Sequence, residues 1–366
     1  MAAVVYRGPR DLRVEQIPVP RIGANELLVR VATCGVCPTD IKKIHHGTVP
    51  PPRVFGHETA GTIVKLGALV RSFRVGDRVA LHHHVPCLDC HACRHRAFAQ
   101  CANYKRTGIT AGFEPAGGGY AEYVRVMPFV LPGVVKIPAR NTFEEGAMLE
   151  PVNTVLKAVE RLNLLSGDRV MVAGQGPIGL MFTRLLALRG IRVLATDLFE
   201  NRLRLARKLG AKWTAKPDVV HQLSTINHQL GDQRSVARGP LSLSRITHHA
   251  SRLDAVIVAV PVDALVKQSF ELLRGGGQVL LFAHTKRGAD FPVDLARICV
   301  DEVDLLGSYS ADFTLQKHVA RLVFNRQLDV RPLITHRFPL AETAAAVELA
   351  ANPTPESLKV LVSPSP

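Results

Sequence analysis

The sequence lacks long apolar runs and is poor in aromatic and acidic residues. No segment approaches the ~20 consecutive apolar residues that a membrane-spanning helix needs, so we expect no transmembrane segment. Residues 1–7 contain neither a basic region followed by an apolar stretch nor a small-residue cleavage site, which predicts a cytoplasmic protein. The 366 residues are 47% apolar and 21% charged. This composition argues against a disordered chain and predicts a soluble globular protein with room for two domains.

The shortage of acidic residues leaves a strong positive charge. Lys and Arg number 46 against 31 Asp and Glu, a formal net charge of +15. Such an excess attracts anions, whether acidic substrates, dinucleotide phosphates or nucleic acid. The basic residues are scattered, however, and are not interleaved with the aromatic side chains that stack on bases. We therefore expect a small-molecule substrate, with no specific nucleic acid and no membrane as partner.

Cysteine is clustered rather than abundant. Four of the seven cysteines fall within fifteen residues, in the pattern Cys87-x2-Cys90-x2-Cys93-x7-Cys101. Four thiolates at this spacing can complete a tetrahedron around one Zn²⁺, which predicts a structural metal site. Two local disulfides are the alternative, but cysteines so close in a tight loop seldom reach disulfide geometry. Thiolates held for a metal also suit a reducing compartment.

Two patterns of periodicity divide the chain. From about Val4 to about Lys136, short β-like runs separated by Gly and Pro predict a barrel-like all-β domain. From about Val155, strands and helices alternate, which predicts an α/β domain with a doubly wound parallel sheet. Residues 219–252 are polar with weak periodicity. They favour a surface insertion, with a lid or a subunit contact as the alternative.

A glycine motif directly follows the first strand of the alternating region. It has the form G-x-G-x-x-G and reads Gly174-Gln175-Gly176-Pro177-Ile178-Gly179. Its glycines permit a tight turn, a close approach to pyrophosphate and close packing of helix on strand. Asp197, at the end of the second strand, is placed to bind the adenosine ribose hydroxyls, and Arg202 to stack on adenine or contact phosphate. Because an acid repels a 2′-phosphate, the pattern favours NAD over NADP.

A second metal site is indicated in the first domain. Cys37 is followed about twenty residues later by the pair His57 and Glu58, a donor set suited to a catalytic zinc with one open position. Taken alone, Cys37 is equally compatible with a small buried apolar residue, and His57 with a hydrogen-bonded core histidine. Their occurrence beside a zinc lobe and a nicotinamide-type motif favours the metal.

Together these residues resemble the zinc-dependent medium-chain dehydrogenase/reductase family over essentially the whole chain, in its sorbitol and threonine dehydrogenase-like branch. The motifs that carry the resemblance are Cys34-Gly-Val-Cys37-x-Thr39-Asp40, Gly56-His57-Glu58, the lobe at 87–101, Glu150-Pro151 and the glycine motif. The resemblance implies a GroES-like β-barrel catalytic domain at 1–153, completed by 308–366, and an inserted Rossmann NAD-binding domain at 154–307. It also implies a homodimer or homotetramer, to which an edge strand in residues 303–309 contributes.

The resemblance further implies roles for individual residues. Cys37 and His57 bind catalytic zinc, Glu58 is a ligand that exchanges with water, and Glu150 stands at the metal or its bound water. Asp40 orients His57, and Thr39 is the first carrier of the substrate proton. Many relatives have a histidine where this chain has Lys42. That lysine is therefore expected either to relay the proton, with His45 and His46 as alternatives, or to hold an anionic group of the substrate.

The expected activity is hydride transfer from a secondary alcohol of a polyol, sugar or amino-alcohol to NAD. An L-threonine 3-dehydrogenase-like or sugar-phosphate dehydrogenase activity is the alternative among enzymes. A catalytically silent binding protein on the same fold is the alternative outside them. The retained metal donors argue against it.

Overall fold

The computed structural model describes residues 1–82, 85–103, 117–218, 253–283, 288 and 290–364. The chain divides into two compact units, residues 1–154 together with 310–366, and residues 155–309. The predicted insertion at 219–252 lies outside the described residues. None of the helices formed by the described residues has the length and apolar character that crossing a bilayer requires.

Short strands predominate among the described elements. In chain order the strands are β1 (Ala2–Gly8), β2 (Asp11–Gln16), β3 (Leu27–Gly35), β4 (Arg53–Val54), β5 (Glu58–Leu66), β6 (Arg78–Ala80), β7 (Tyr123–Val126), β8 (Val135–Lys136), β9 (Arg169–Ala173), β10 (Arg192–Thr196), β11 (Trp213–Ala215), β12 (Leu253–Val258), β13 (Leu273–Leu281), β14 (Asp304–Gly307), β15 (Ile334–Pro339) and β16 (Lys359–Ser363). The α-helices are α1 (Pro38–His46), α2 (His91–Arg94), α3 (Phe143–Ala147), α4 (Leu149–Val159), α5 (Pro177–Leu188), α6 (Glu200–Lys208), α7 (Ala264–Leu272), α8 (Leu295–Cys299), α9 (Gln316–Phe324) and α10 (Thr343–Ala351).

The first unit is built on two sheets. Its larger sheet has the order β15-β16-β3-β5-β6-β8, with β7 also paired to β3, and its smaller sheet has the order β2-β1-β4. Register shifts interrupt the β3–β5 ladder at two places, and such bulges bend the strands. Strand β16 lies between β15 and β3, so the C-terminal segment completes the sheet that the N-terminal segment begins.

The second unit is a single parallel sheet. Its order is β11-β10-β9-β12-β13-β14, and each adjacent pair is parallel. The buried strand β9, whose sequence is RVMVA, lies beside both β10 and β12. The strand order reverses at this point, and ligands of doubly wound sheets bind at the carboxyl ends of the strands flanking such a reversal. The predicted doubly wound sheet is confirmed.

Candidate metal centres and dinucleotide site

One glycine and one helix start position two donors of the predicted catalytic metal, His57 and Cys37. Cys37 caps helix α1, and Pro38 at its first position favours the turn into the helix. His57 follows Gly56, whose φ is +98°; a Cβ there would lie 2.8 Å from Cys34 Sγ and 2.9 Å from the Tyr120 backbone nitrogen. Only glycine tolerates this conformation and this crowding, so Gly56 fixes the turn that leads into β5.

The fold brings Cys37, His57 and Glu58 together. One ligand atom from each lies within 4.8 Å of the others. His57 and Glu58 are buried, while Cys37 is partly exposed. A thiolate, an imidazole and a carboxylate are the three-ligand set of a catalytic zinc that keeps a fourth position for water or substrate. The donor set therefore fits the metal predicted from the sequence.

Asp40 fixes the orientation of the His57 ring. Its carboxylate oxygens lie 3.2 and 3.1 Å from His57 Nδ1, and its side chain is fully buried. Nδ1 therefore faces Asp40, and Nε2 is left for the metal. Burial opposes a charge on His57, but the charges of Asp40 and Cys37 and hydrogen bonds to both together raise the pKa of His57 well above its ordinary value.

Glu58 is held by a residue that sequence reasoning missed. The buried ammonium of Lys359 is in direct contact with Glu58 Oε2 and donates to the Val36 carbonyl oxygen at 2.9 Å. Burial opposes the charge on Lys359, yet the negative charges of Glu58, Cys37 and Glu150 raise its pKa above the ordinary value. Burial also raises the pKa of Glu58, and Lys359 partly offsets the increase.

Glu150 is close to this group but does not belong to the set of mutually close ligand atoms. The set within 4.8 Å contains Cys37, His57 and Glu58. Glu150 is buried near the start of α4, and its charge raises the pKa of Glu58. The charge of Glu150 therefore acts on the same group from another element, and its predicted place at the metal or at the metal's bound water stays a prediction.

The predicted proton-relay residues lie along α1. Thr39 is partly buried, whereas Lys42, three positions further, is exposed. His45 is directed to another element, since its Nε2 lies 3.0 Å from Glu348 Oε1 on α10. His46 is exposed at the end of the helix. Of the two histidines predicted as alternative proton carriers, His45 is therefore paired with Glu348, and His46 does not take part in this ion pair.

The four lobe cysteines are also brought together. Their ligand atoms all lie within 4.8 Å of one another, and none of the seven cysteines forms a disulfide. The Sγ atoms of Cys90 and Cys93 are 3.5 Å apart, compared with about 2.05 Å in a disulfide. The backbone nitrogen of Cys87 points to Cys101 Sγ at 3.4 Å. The lobe packs through Phe98 against Phe313 of the C-terminal segment, with ring centroids 5.7 Å apart.

The glycine motif occupies the turn between β9 and α5. Gly174 has φ +91°, a left-handed conformation that favours glycine. A Cβ on Gly179 would lie 1.8 Å from the Gly174 carbonyl oxygen, so this glycine allows the helix to approach the strand. Among the described residues no atom lies within 4 Å of a Cβ built on Gly176. The space in front of Gly176 is therefore open to a ligand at the start of a helix, where backbone N–H groups favour phosphate.

Asp197 follows β10 and is fixed by backbone donors. Its Oδ2 accepts from Gln175 N at 2.7 Å, and its Oδ1 accepts from Phe199 N at 2.9 Å. Arg202 Nη1 lies 3.9 Å from Asp197 Oδ2, and the guanidinium packs over the Phe199 ring at 4.8 Å. The carboxylate is thus held rigidly beside the glycine turn, as recognition of a ribose requires.

Known proteins match both units. An alcohol dehydrogenase GroES-like domain matches residues 23–139, and a zinc-binding dehydrogenase domain matches residues 177–325. The chain is 30% identical to sorbitol dehydrogenase of Bos taurus, covering 100% of this chain and 96% of that protein.

Solved structures agree. A zinc-binding dehydrogenase of Sinorhizobium meliloti bound to NADP matches with a TM-score of 0.84 and 28% identity over 99% of each chain. Galactitol-1-phosphate dehydrogenase of Escherichia coli matches with a TM-score of 0.79 and 25% identity over 100% of each chain.

Proposed function

Because the chain belongs to the zinc-dependent medium-chain alcohol dehydrogenase family, we propose that it oxidises a secondary alcohol of a polyol, with NAD as hydride acceptor. The observation that carries the proposal is the group formed by Cys37, His57 and Glu58, whose ligand atoms lie within 4.8 Å of one another. The similarity to sorbitol dehydrogenase makes a polyol the preferred substrate class, with sugars and amino-alcohols as related candidates.

The residues of the group divide the work of holding the metal and moving a proton. When bound, zinc supplies a Lewis acid that stabilises negative charge on the substrate oxygen. Cys37 and His57 would hold the zinc. Asp40 binds His57 at Nδ1, which leaves Nε2 of the same ring for the metal. Thr39, partly buried at the start of α1, accepts the alcohol proton. Lys42 lies one turn further on the same helix and is exposed, and it takes up the proton from Thr39 only in its uncharged amine form, having first released a proton to solvent.

NAD is the coenzyme that the dinucleotide site favours. The Asp197 carboxylate is fixed by two backbone N–H groups, so it cannot turn away from a 2′-phosphate without losing them. The S. meliloti relative was solved bound to NADP, so the preference for NAD or NADP differs between members of the family and has to be argued from each chain's own residues. Arg202 is the nearby cation that would favour a phosphate. Its contacts with Asp197 and Phe199 support a role in holding the adenosine side of the site instead.

We assign the catalytic role to the unit formed by residues 1–154 and 310–366, and NAD binding to residues 155–309. The sequence-based boundaries at 153/154 and 307/308 lie one and two residues from the limits of these two units. A cytoplasmic location suits the free thiols of the lobe, because a reducing compartment preserves them.

We also propose self-association through β14. This strand forms one edge of the parallel sheet, where Leu305 is 43% exposed, and Tyr309, two residues beyond the strand, is also 43% exposed. Among the described strands none pairs with the outer side of β14, and a second copy of β14 would supply a matching partner for this edge. The unit of assembly is a homodimer, from which a homotetramer can be built.

A phosphorylated polyol or sugar is the second candidate substrate class. The exposed Lys42 and the net charge of +15 favour an anionic substrate, and galactitol-1-phosphate dehydrogenase is among the structural relatives. L-threonine carries an anionic carboxylate, so it is a further anionic substrate to be compared with the polyols. In this case Lys42 binds the anionic group of the substrate, and His46 transfers the alcohol proton to solvent.

The proposal is tested by measuring NADH formation with polyols, sugar phosphates and β-hydroxy amino acids, with zinc counted on the same sample. We expect two zinc ions per chain and the highest kcat/KM with a polyol. Cys37→Ala should abolish turnover and remove one zinc while the circular dichroism spectrum is unchanged. Full alcohol oxidation by this variant would refute the catalytic assignment, and a preference for phosphorylated substrates would select the second candidate.

A further inference from the structure

The cysteine lobe carries a second set of metal donors on its surface. His91 and His95 are both exposed and lie four positions apart. The backbone N–H of His95 donates to the His91 carbonyl oxygen at 3.2 Å, so one turn of α-helix joins the two residues. Residues four apart on a helix are neighbours on its surface, and two histidines at this spacing can bind one zinc ion.

The two imidazole rings stand at a separation that suits a shared metal ion. Their centroids are 4.5 Å apart, and their planes make an angle of 57°. Two imidazoles that bind one ion through metal–nitrogen bonds of about 2.0–2.1 Å have ring centroids about 4.5–5 Å apart. His91 and His95 can therefore share an ion without any change in the backbone of the turn.

The four-cysteine group fixes the turn that carries this pair of histidines. Cys90 is the N-cap of α2, and Cys93 lies within the helix. The backbone N–H of Arg94 donates to the Cys90 carbonyl oxygen at 3.0 Å. Two of the predicted lobe ligands therefore belong to the same turn as His91 and His95. Ligands that are already in place lose little conformational freedom when an ion binds, which favours binding.

The charges around the pair permit a cation to bind. Four thiolates around one Zn²⁺ carry a net negative charge, which attracts a second positive ion. Arg94 lies between the two histidines in the sequence, but its guanidinium is paired with Asp89 at 3.2 Å and donates to the Asp89 carbonyl oxygen at 3.0 Å. Arg96 adjoins His95 and is exposed, so water and salt screen its charge.

We propose that His91 and His95 bind one divalent transition-metal ion, Zn²⁺ or Ni²⁺, at a site separate from the two predicted zinc sites. Imidazole is a suitable ligand for both ions. Among the residues that the structure describes, no further histidine, cysteine or carboxylate joins the pair, so water completes the coordination. Such an open site exchanges its ion with solvent, whereas four thiolates enclose theirs. The inference does not depend on the proposed function, because neither histidine belongs to the group of Cys37, His57 and Glu58.

The test is isothermal titration calorimetry with Ni²⁺ on the untagged, zinc-loaded protein after desalting. We expect the wild type to bind one Ni²⁺ per chain that His91→Phe and His95→Phe fail to bind at the same concentration. Phenylalanine keeps an aromatic ring but removes the ligand nitrogen. Each substitution should weaken binding at least about tenfold, because the loss of an outer partner of a metal ligand already costs that much. The zinc content should be the same in all three proteins.

A swapped variant tests whether the spacing of the histidines matters. His95→Arg combined with Arg96→His keeps the number of histidines and the net charge, but it moves the second imidazole away from the face of His91. Arg96 has φ +56°, a left-handed conformation in which histidine is one of the more common residues. The swapped variant should bind Ni²⁺ as weakly as His95→Phe. His318→Ala removes an exposed histidine from α9 and should bind Ni²⁺ like the wild type.

Three results would overturn the site. The first is wild-type Ni²⁺ affinity in both phenylalanine variants, and the second is wild-type affinity in the swapped variant. The third is a wild-type protein that takes up no Ni²⁺ at concentrations up to about 1 mM, where even a weak site is half occupied. If a phenylalanine variant loses the lobe zinc, His91→Gln and the swapped variant carry the test, since both keep a polar side chain on this surface.

Discussion

The glycine turn after β9 allows fold stability and coenzyme binding to be separated by two similar substitutions. Gly174→Ala forces a left-handed φ of +91° on alanine and places its Cβ 2.3 Å from Val260 Cγ1. The conformation costs about 1–2 kcal/mol, and the overlap costs about 1–3 kcal/mol. We therefore expect a loss of about 2–5 kcal/mol. For a domain of this size that lowers the unfolding midpoint by roughly 5–15 °C.

Gly176→Ala should behave in the opposite way. Gly176 has φ −66° and ψ −175°, which alanine adopts freely, and no atom lies within 4 Å of its Cβ. Stability should be unchanged or higher by about 0.4–1 kcal/mol. The added methyl group lies where the pyrophosphate approaches the backbone. Losing one hydrogen bond to a charged group costs about 1.5–3 kcal/mol, which raises the NADH dissociation constant roughly 10- to 100-fold.

Thermal unfolding followed by circular dichroism and a fluorescence titration with NADH check both expectations. Gly167→Ala is the control for backbone conformation, since Gly167 has φ +96° in the same unit but no atom within 4 Å of its Cβ. The difference between the Gly174 and Gly167 variants isolates the overlap with Val260. Wild-type NADH affinity in Gly176→Ala would refute the assignment of this turn to the pyrophosphate.

Three further predictions concern the lobe, the acid limit and assembly. Cys93→Ala should remove one zinc per chain and lower the unfolding midpoint, measured by metal analysis and calorimetry; an unchanged midpoint would contradict a structural role for the lobe. The hydrogen bonds that Arg125 donates lower the pKa of Glu26 in the folded protein, although burial opposes this shift. Ionised Glu26 therefore stabilises the fold at pH values above the pKa that it has in the unfolded chain. This stabilisation is lost as the pH falls through the lower pKa that Glu26 has in the folded protein. Denaturant unfolding should therefore show stability declining below about pH 4.3, and Glu26→Gln should lose stability at pH 7 but little at pH 3; equal losses would refute the linkage. Leu305→Lys should convert dimers to monomers in sedimentation velocity, and an unchanged mass would exclude the β14 edge as the interface.

The sequence was most informative where the relevant residues are close along the chain. The glycine motif, the four lobe cysteines and the pair His57 and Glu58 are local patterns, and the fold places each of them as one group. The alternating strands and helices after Val155 also predicted the parallel sheet, because its inner strands β9 and β10 are buried over four of their five residues and are largely apolar.

Long-range pairing could not be predicted in the same way. Lys359 begins a short apolar strand, and its sequence neighbours give no indication that β16 pairs with β3. Its contact with Glu58 depends on the register of two strand pairs and on the missing side chain of Gly35. His45 is a similar case, since its partner Glu348 lies on a helix from the other end of the chain. Periodicity identifies an element but does not specify which element it packs against.

Strand β16 has a consequence for how this protein is made. Thr33 and Val362 share a hydrogen bond although they are 329 positions apart, so β3 leaves the ribosome long before its neighbour exists. Until β16 is made, the Cys34–Gly35 end of β3 lacks the strand that pairs with it, and an unpaired strand edge of this kind can pair with other nascent chains. A premature stop or a proteolytic cut just before Lys359 would remove a strand of only 5 residues, yet it would return the sheet to this exposed state. The same cut would remove the Lys359 ammonium, which contacts Glu58. A truncated product would therefore be prone to aggregation and would also lack this contact beside the predicted metal ligands.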